Sequence, residues 1–394
     1  MLYSLFVFAN KTIKKITVIL ARVIIRISND TITIVYKSYS GSNSLALIKN
    51  LPEAISENYK VHLIRDSGKS GVREYIHKLK MLMKSQLIVT THGPIKYRNG
   101  QISIELWHGF PLKGMIKMHK DLPVDKKNKY AGEWNNVDYV VSYSQLYSTA
   151  MNSCINSFSN KYVITGAPRN DYLFSSFGRN LLSNITNVNI KDKMVMFYFP
   201  TFRQGFSDLI DGELNIYNIF GFSNFDNARL DEFLDQNNIC LFIKLHPNEK
   251  NRIESMRNLI SERLILFEDS SLEERETDLY EVLNGIDILL TDYSSIYFDY
   301  LLLDRPIIFL PHDLEYYRET RGFLLEPYDF WTPGPKVFSQ DVLEAEILNF
   351  INNKDYYSSE REIIKNLIHY YKDGKSSERV WGLVDNLLSH NKHL

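Results

Sequence analysis

Cysteine is nearly absent from this sequence: two occur in 394 residues, Cys154 and Cys240, far apart in the chain. That scarcity excludes a disulfide framework, a zinc ribbon and a CxxC redox pair, and it suits a reducing compartment. Net charge is also missing, at −1. No global positive field gathers nucleic acid, so any anionic partner must be met by a local patch. There is no GxxxxGK[ST] loop, no GxGxxG and no Asp-x-Asp pair. Common signatures for phosphate loops, dinucleotides and a divalent ion on a nucleotide diphosphate are thereby removed. Glu276-Thr277-Asp278 is the nearest acidic pair, and its charged surroundings predict a surface linker. Chemistry without a metal or cofactor is therefore expected. Internal repeats and low-complexity tracts are lacking as well.

A long uncharged run is absent too. Residues 1–27 are largely apolar but carry Lys11, Lys14, Lys15, Arg22 and Arg26, so nothing there reaches the roughly 18 uncharged residues that a membrane span needs. At about 100° per residue these cations share one stripe, and Leu, Val, Ile and Phe fill much of the remainder. Residues 1–28 predict a cationic amphipathic helix that lies in an anionic inner leaflet or docks on its own domain. A signal peptide is disfavoured, because no basic side chain precedes the apolar stretch and no small-residue cleavage site follows it. The body is expected at the cytoplasmic face of the cell membrane, held peripherally. Self-association through the same helix stays open.

What is present is an ordered globular chain, with 44% hydrophobic and 24% charged residues, well away from the disordered range. Its 25 Tyr and 22 Phe fall mainly inside apolar runs. That placement favours core packing over a nucleic-acid stacking platform. From Thr31 onward, short β-rich runs (TITIVYKS, KVHLIR, QLIVTT, SIEL, VDYVVS, KYVIT) alternate with helical stretches. A second series follows in MVMFYF, CLFIKL, LILFED, DILLT and PIIFL. Such alternation specifies parallel sheets covered by helices. Two series of similar size predict an α/β protein of two Rossmann-like domains facing a central cleft, residues 29–185 and 186–375, with a closing helix over 376–394. The polar stretch 175–192 marks the divide, and 205–226 reads as an irregular insertion. Ligands of such sheets collect at the carboxyl ends of strands.

Three motifs stand at those ends. In Trp107-His108-Gly109-Phe110-Pro111-Leu112-Lys113 a histidine leaves a strand on a tight turn. Its imidazole can accept a proton near neutral pH, or simply bond nearby backbone. In Lys244-Leu245-His246-Pro247 alternation sends Lys244 and His246 to one face, and Pro247 stops the strand. Both can meet a diphosphate, or be an edge charge and a packed ring. In Thr291-Asp292-Tyr293-Ser294-Ser295 a buried strand runs into a helix start, where free N–H groups and serine hydroxyls suit an anion; ordinary capping explains the same residues. Arg203 and Arg321 are candidates for charge-assisted phosphate contacts. Lys113 and Lys117 open a basic segment beyond His108 that can hold a polyanionic acceptor or remain solvated.

Together, WHGFPLK, GAPRND, PTFR, KLHP, TDYSSIYFDYLLLDRPIIF and RGF with a later PGP resemble the CDP-glycerol glycerophosphotransferases that build teichoic acids and related capsules. The order is the same and the likeness runs from about Thr31 to Lys336. It implies a GT-B-like architecture, a CDP-glycerol or related CDP-polyol donor, a lipid-linked polyol-phosphate or glycan acceptor, and frequent peripheral membrane attachment. By motif, His108 matches the family's proposed base and His246 the histidine that contacts the donor diphosphate. Ser294 and Ser295 match its phosphate-binding helix start. Phe110 and Ala167 depart from the usual pattern, in a way that bears on acceptor choice. The expected reaction is transfer of a polyol phosphate with release of CMP. A GT-B glycosyltransferase using a nucleotide sugar, and a catalytically silent nucleotide-diphosphate-binding protein, are its rivals.

Overall fold

The apolar runs form strands in two wholly parallel sheets of a computed structural model. It describes residues 17–66, 71–175, 177–201, 219–245, 254, 257 and 259–391. In the first sheet the strands are β1 (Ser28–Tyr36), β2 (Lys60–Arg65), β3 (Ser85–Thr90), β4 (Ile102–Glu105), β5 (Tyr139–Ser142) and β6 (Tyr162–Ile164), in the order β2-β1-β3-β4-β5-β6. In the second they are β7 (Met194–Phe199), β8 (Ile239–Ile243), β9 (Leu264–Leu266), β10 (Ile288–Thr291) and β11 (Ile307–Phe309), in the order β11-β10-β7-β8-β9. Helices cover both faces, so central strands such as β3 and β8 are buried along their whole length. That is why β8 and the Leu87–Val89 centre of β3 read as continuous apolar runs with no alternation.

Each sheet reverses its winding once, between β1 and β3 and between β7 and β10. Crevices open at the carboxyl ends of strands flanking such reversals. Leu289 of β10 pairs with Phe197 of β7 and Ile307 of β11, which brings the ends of β7 and β10 level. The two halves share a core: Phe110 from the first packs on Phe298 from the second, with ring centroids 4.7 Å apart.

The stretch 175–192, expected as a polar divide, contains a helix, Gly178–Thr186, with Leu182 and Ile185 buried. Leucines and an isoleucine at helical spacing outweigh the Ser and Asn between them. Most of the expected insertion at 205–226 lies outside the described residues. The closing helix, Ser376–Asn391, buries Val380, Trp381, Val384 and Leu388 in the core of the first sheet. Asp171 accepts the Ser376 and Ser377 N–H groups at 2.8 and 2.7 Å and fastens this helix at its start.

Residues 17–24 are helical. Ala21, with Val18 and Ile25, packs on Leu79 and Met83 of the helix Val72–Lys84. The Arg98 guanidinium donates to the carbonyls of Ile25 and Ala21 at 2.6 and 3.2 Å. Docking leaves Ile19, Leu20, Val23 and Ile24 between 54% and 81% exposed. Lys11, Lys14 and Lys15 lie outside the described residues. Among the described residues no helix is long and apolar enough to cross a membrane.

Candidate active site

Glu105, the last residue of β4, organises the first wall. Its side chain is fully buried, and burial pushes the carboxyl up to about 7 against the hydrogen bonds that lower it. One oxygen accepts the Trp107 N–H at 2.9 Å. The other accepts the Thr90 hydroxyl at 2.5 Å and the Gly93 N–H at 3.1 Å. One carboxyl thus clamps the loop after β3 to the loop after β4. Trp107 adopts φ +54°, a left-handed conformation that costs a bulky residue on the order of 1–3 kcal/mol. Asn43 Nδ2 holds the Trp107 carbonyl at 2.7 Å.

His108 follows. Its Nδ1 lies 3.0 Å from the Thr91 carbonyl oxygen. A carbonyl only accepts, so Nδ1 carries the proton and Nε2 keeps its lone pair. Burial pushes the imidazole down to about 4; the Thr91 carbonyl opposes this, while Arg169, Lys37 and Lys113 add to it. At neutral pH the ring is an uncharged acceptor.

The second wall comes from the ends of β7, β8 and β10. A cavity of about 300 Å³ is lined by Ser40, His108, Lys113 and Arg169 from the first half, and by Phe199, Pro200, Thr201, Lys244, Ser294 and Ser295 from the second. Leu245, Leu279, Tyr280 and Ile296 supply apolar surface. Lys244 Nζ is 2.7 Å from Asp269 Oδ1, which steers the ammonium without removing it from the lining. Helix Ile296–Tyr300 starts at the cavity and has no side-chain cap from Ser295. Capping was the alternative for Ser294 or Asp292, and the Asp292 carboxylate instead accepts the N–H groups of Thr201 and Tyr293, ahead of the helix.

Between the walls sits a buried ion pair that sequence reasoning missed. Arg169 Nη2 donates to Asp299 Oδ2 at 2.5 Å; Tyr280 OH joins the same oxygen at 2.6 Å, and Asn170 Nδ2 meets Oδ1 at 2.9 Å. Arg169 Nη1 reaches the carbonyls of His108 and Gly41 at 2.9 and 3.0 Å. Burial alone would lower this guanidinium, but Asp299 together with Tyr143 and Tyr280 holds it well above its ordinary value. One signal was available: Asp299 is an acid in a helix whose other residues are all buried and apolar or aromatic, and such an acid needs a partner.

His108, Lys113, Lys244, Ser294 and Ser295 are thus brought together. Asp292 is buried beside the cavity, where its carboxylate accepts the Thr201 and Tyr293 N–H groups at 2.8 and 2.5 Å and ties the loop after β7 to the turn after β10. Arg321 also stays off the lining, because its Nε is spent on the Gly114 carbonyl at 2.8 Å. Lys117 is exposed and does not line the cavity. His246 and Arg203 lie outside the described residues. The reading of 276–278 as a surface linker fails at Asp278, which is fully buried and accepts the Gly41 and Ser42 N–H groups across the two halves. Among the described residues no group of three or more His, Cys, Asp or Glu is placed to hold a metal ion.

Comparison with known proteins gives a consistent set of likenesses. Residues 19–386 match the family model described as CDP-glycerol:poly(glycerophosphate) glycerophosphotransferase. The chain is 31% identical over 368 residues to a teichoic acid glycerol-phosphate transferase of Staphylococcus aureus, covering 87% of this chain and 89% of that protein. It is 28% identical over 365 residues to the teichoic acid ribitol-phosphate polymerase TarL of the same organism, covering 88% of this chain but only 60% of that protein. Among solved structures it resembles the wall teichoic acid polymerase TagF, with a TM-score of 0.76 at 19% identity over 98% of this chain and 97% of that one.

Proposed function

We propose the activity of this chain from its kinship, for it belongs to the family of CDP-glycerol:poly(glycerophosphate) glycerophosphotransferases. On this reading it moves glycerol phosphate, or a related polyol phosphate, from a CDP-activated donor to a hydroxyl of a lipid-linked or polymeric envelope acceptor. The observation that carries the reading is the shared cavity, in which an uncharged imidazole from one half faces Lys244, Ser294 and Ser295 from the other.

The acceptor hydroxyl oxygen attacks the polyol-bearing phosphorus of the donor. His108 Nε2 takes the hydroxyl proton as the new P–O bond forms, and the bond from that phosphorus to the CMP oxygen breaks. CMP leaves with the electron pair. The Lys244 ammonium and the serine hydroxyls stabilise negative charge on the transferring and leaving phosphates, a contribution largest where water is excluded. Lys113, on the acceptor side, meets anionic acceptor groups. His246 and Arg203 retain the diphosphate roles that their motifs imply. Two halves meeting at one cavity also suit alternate entry of donor and acceptor.

The exposed face of Ile19, Leu20, Val23 and Ile24 supports peripheral attachment to an anionic leaflet, which would place the reaction at the cytoplasmic face of the membrane. Glycerol is the polyol favoured by the relative matched over most of its length.

The test is CMP release with CDP-glycerol, CDP-ribitol and UDP-sugars supplied separately, with a lipid-linked glycerol-phosphate acceptor. Wild-type enzyme should turn over a CDP-polyol alone, and His108→Ala should lose about 100-fold or more in kcat while still binding donor. Turnover of a UDP-sugar instead would favour a glycosyltransferase, and donor binding without any turnover a silent binding protein.

A further inference from the structure

His92 has no part in the motifs above, yet its ring lies flat against the candidate base. The His92 and His108 centroids are 4.5 Å apart and their planes differ by 13°. The Trp107 ring packs on His108 as well, at 4.1 Å and 34°. Both imidazoles take their register from one residue: the Thr91 carbonyl meets His108 Nδ1 at 3.0 Å, and the Thr91 hydroxyl meets His92 Nδ1 at 2.9 Å. Gly93, next along, has φ +121° and donates its N–H to Glu105, which also holds Trp107. The loop carrying His92 is therefore clamped to the loop carrying His108.

A single hydrogen bond to Nδ1 fixes one corner of an imidazole and leaves the ring free to swing about that corner. Flat neighbours remove the swing. With the plane fixed and Nδ1 committed to Thr91, the lone pair of Nε2 has one direction left, toward the cavity that His108 lines. Proton transfer is steeply sensitive to that direction. Stacking has a second use: as His108 gains a proton during transfer, the face of a neutral ring beside it favours the new cation.

We propose that His92 is a positioning residue which, by stacking on His108, holds the plane of the base and keeps Nε2 aimed at the acceptor hydroxyl. The inference rests on the reading of His108 as the base. His92 does not line the cavity and touches no substrate. It is exposed, so its substitution does not empty a core. The charged and titratable groups around the pair are Glu105 on β4, Lys37 beyond β1, Lys113 on the loop of His108 and Arg169. The carboxyl and the two ammonium groups are not flat rings, and the planar Arg169 guanidinium is committed to Asp299 and to the Gly41 and His108 carbonyls.

The test compares His92→Ala with His92→Phe in the full chain, using CDP-glycerol turnover and ¹⁵N imidazole NMR of His108. His92→Ala should lower kcat by about tenfold, change the donor KM less than twofold, and move the ¹⁵N pattern of His108 away from a pure Nδ1–H tautomer. His92→Phe, which keeps a flat ring, should restore most of both. Wild-type kcat with an unchanged ¹⁵N pattern in His92→Ala would overturn the proposal, as would a rise in KM alone or a His92→Phe protein as impaired as His92→Ala. If His108→Ala retains turnover, the base assignment fails on its own account, and the NMR comparison still decides whether His92 holds the ring.

Discussion

Replacing Asp299 by Asn keeps the shape of the side chain and removes its charge. In the wild-type protein the carboxylate is fully buried, accepts from Arg169, Tyr280 and Asn170, and faces a guanidinium that is 4% exposed. The other contacts of Arg169 are neutral: the carbonyls of Gly41 and His108 and, at 3.5 Å, the Tyr143 hydroxyl. Asp299→Asn therefore leaves a buried cation with no carboxylate in direct contact. It also leaves one amide oxygen where two carboxylate oxygens had accepted from Arg169, Tyr280 and Asn170, and the guanidinium among them can only donate. Removing one partner of such a pair costs about 3–5 kcal/mol, a large share of the roughly 5–15 kcal/mol that holds a domain together.

Urea unfolding followed by tryptophan fluorescence measures this directly. The variant should unfold at markedly lower urea, and turnover should fall too, because Arg169 Nη1 carries the backbone of His108. Arg169→Met should be similarly costly, since it strands the carboxylate. The double variant should cost less than the sum of the singles by about 1 kcal/mol or more, as expected for residues in direct contact. A loss below about 1 kcal/mol in Asp299→Asn, or strict additivity in the double variant, would refute the claim that this pair joins the two walls.

Three further outcomes are expected. Because burial lowers His108 to about 4, the free enzyme keeps a neutral base until the pH falls through that value, so the acid limb of kcat/KM should lie there. A bound diphosphate favours the protonated ring, so the acid limb of kcat should lie higher; limbs that coincide near 6.5 would contradict this assignment. Gly109→Ala places a methyl 2.7 Å from Ser295 Oγ and 3.3 Å from Arg169 Nη2 at φ +151°. It should lower Tm and kcat together, with Ser295→Ala recovering part of the Tm, and a wild-type Tm would argue against so close an approach of the walls. Val23→Glu with Ile24→Glu should abolish co-sedimentation with phosphatidylglycerol vesicles and spare soluble turnover, whereas undiminished co-sedimentation would remove this face from any membrane role.

The sheets were legible because a parallel strand buried on both faces is predominantly apolar, as MVMFYF, ICLFI and the Leu87–Val89 centre of SQLIVT are. Strand ends were legible for the same reason, since the apolar run stops where His108, Lys244 and Ser294 begin. Bonds between residues far apart in the chain were not. Asp299 and Arg169 are 130 positions apart, and neither periodicity nor spacing links them. Asp278 shows the opposite failure: charged neighbours made it read as surface, although its carboxyl spans to Gly41 and Ser42. His92 gave no signal, because a stack of two rings from successive strand ends depends on the level at which β3 and β4 stop.

That level is reached through the left-handed backbone at Trp107. In an extended strand, consecutive side chains point to opposite faces, so residues 107 and 108 continuing β4 would diverge and only one could serve the cavity. At φ +54° the chain turns, and the two rings instead lie 4.1 Å apart with His108 on the cavity wall. The conformation is unfavourable for tryptophan and persists because Glu105 holds its N–H, Asn43 holds its carbonyl, and Trp134 packs on its ring at 5.2 Å. A buried carboxyl, an amide and an indole are thus committed to one residue's backbone. The return is an imidazole with a fixed tautomer and a fixed plane before any substrate arrives, which is what a positioned general base requires.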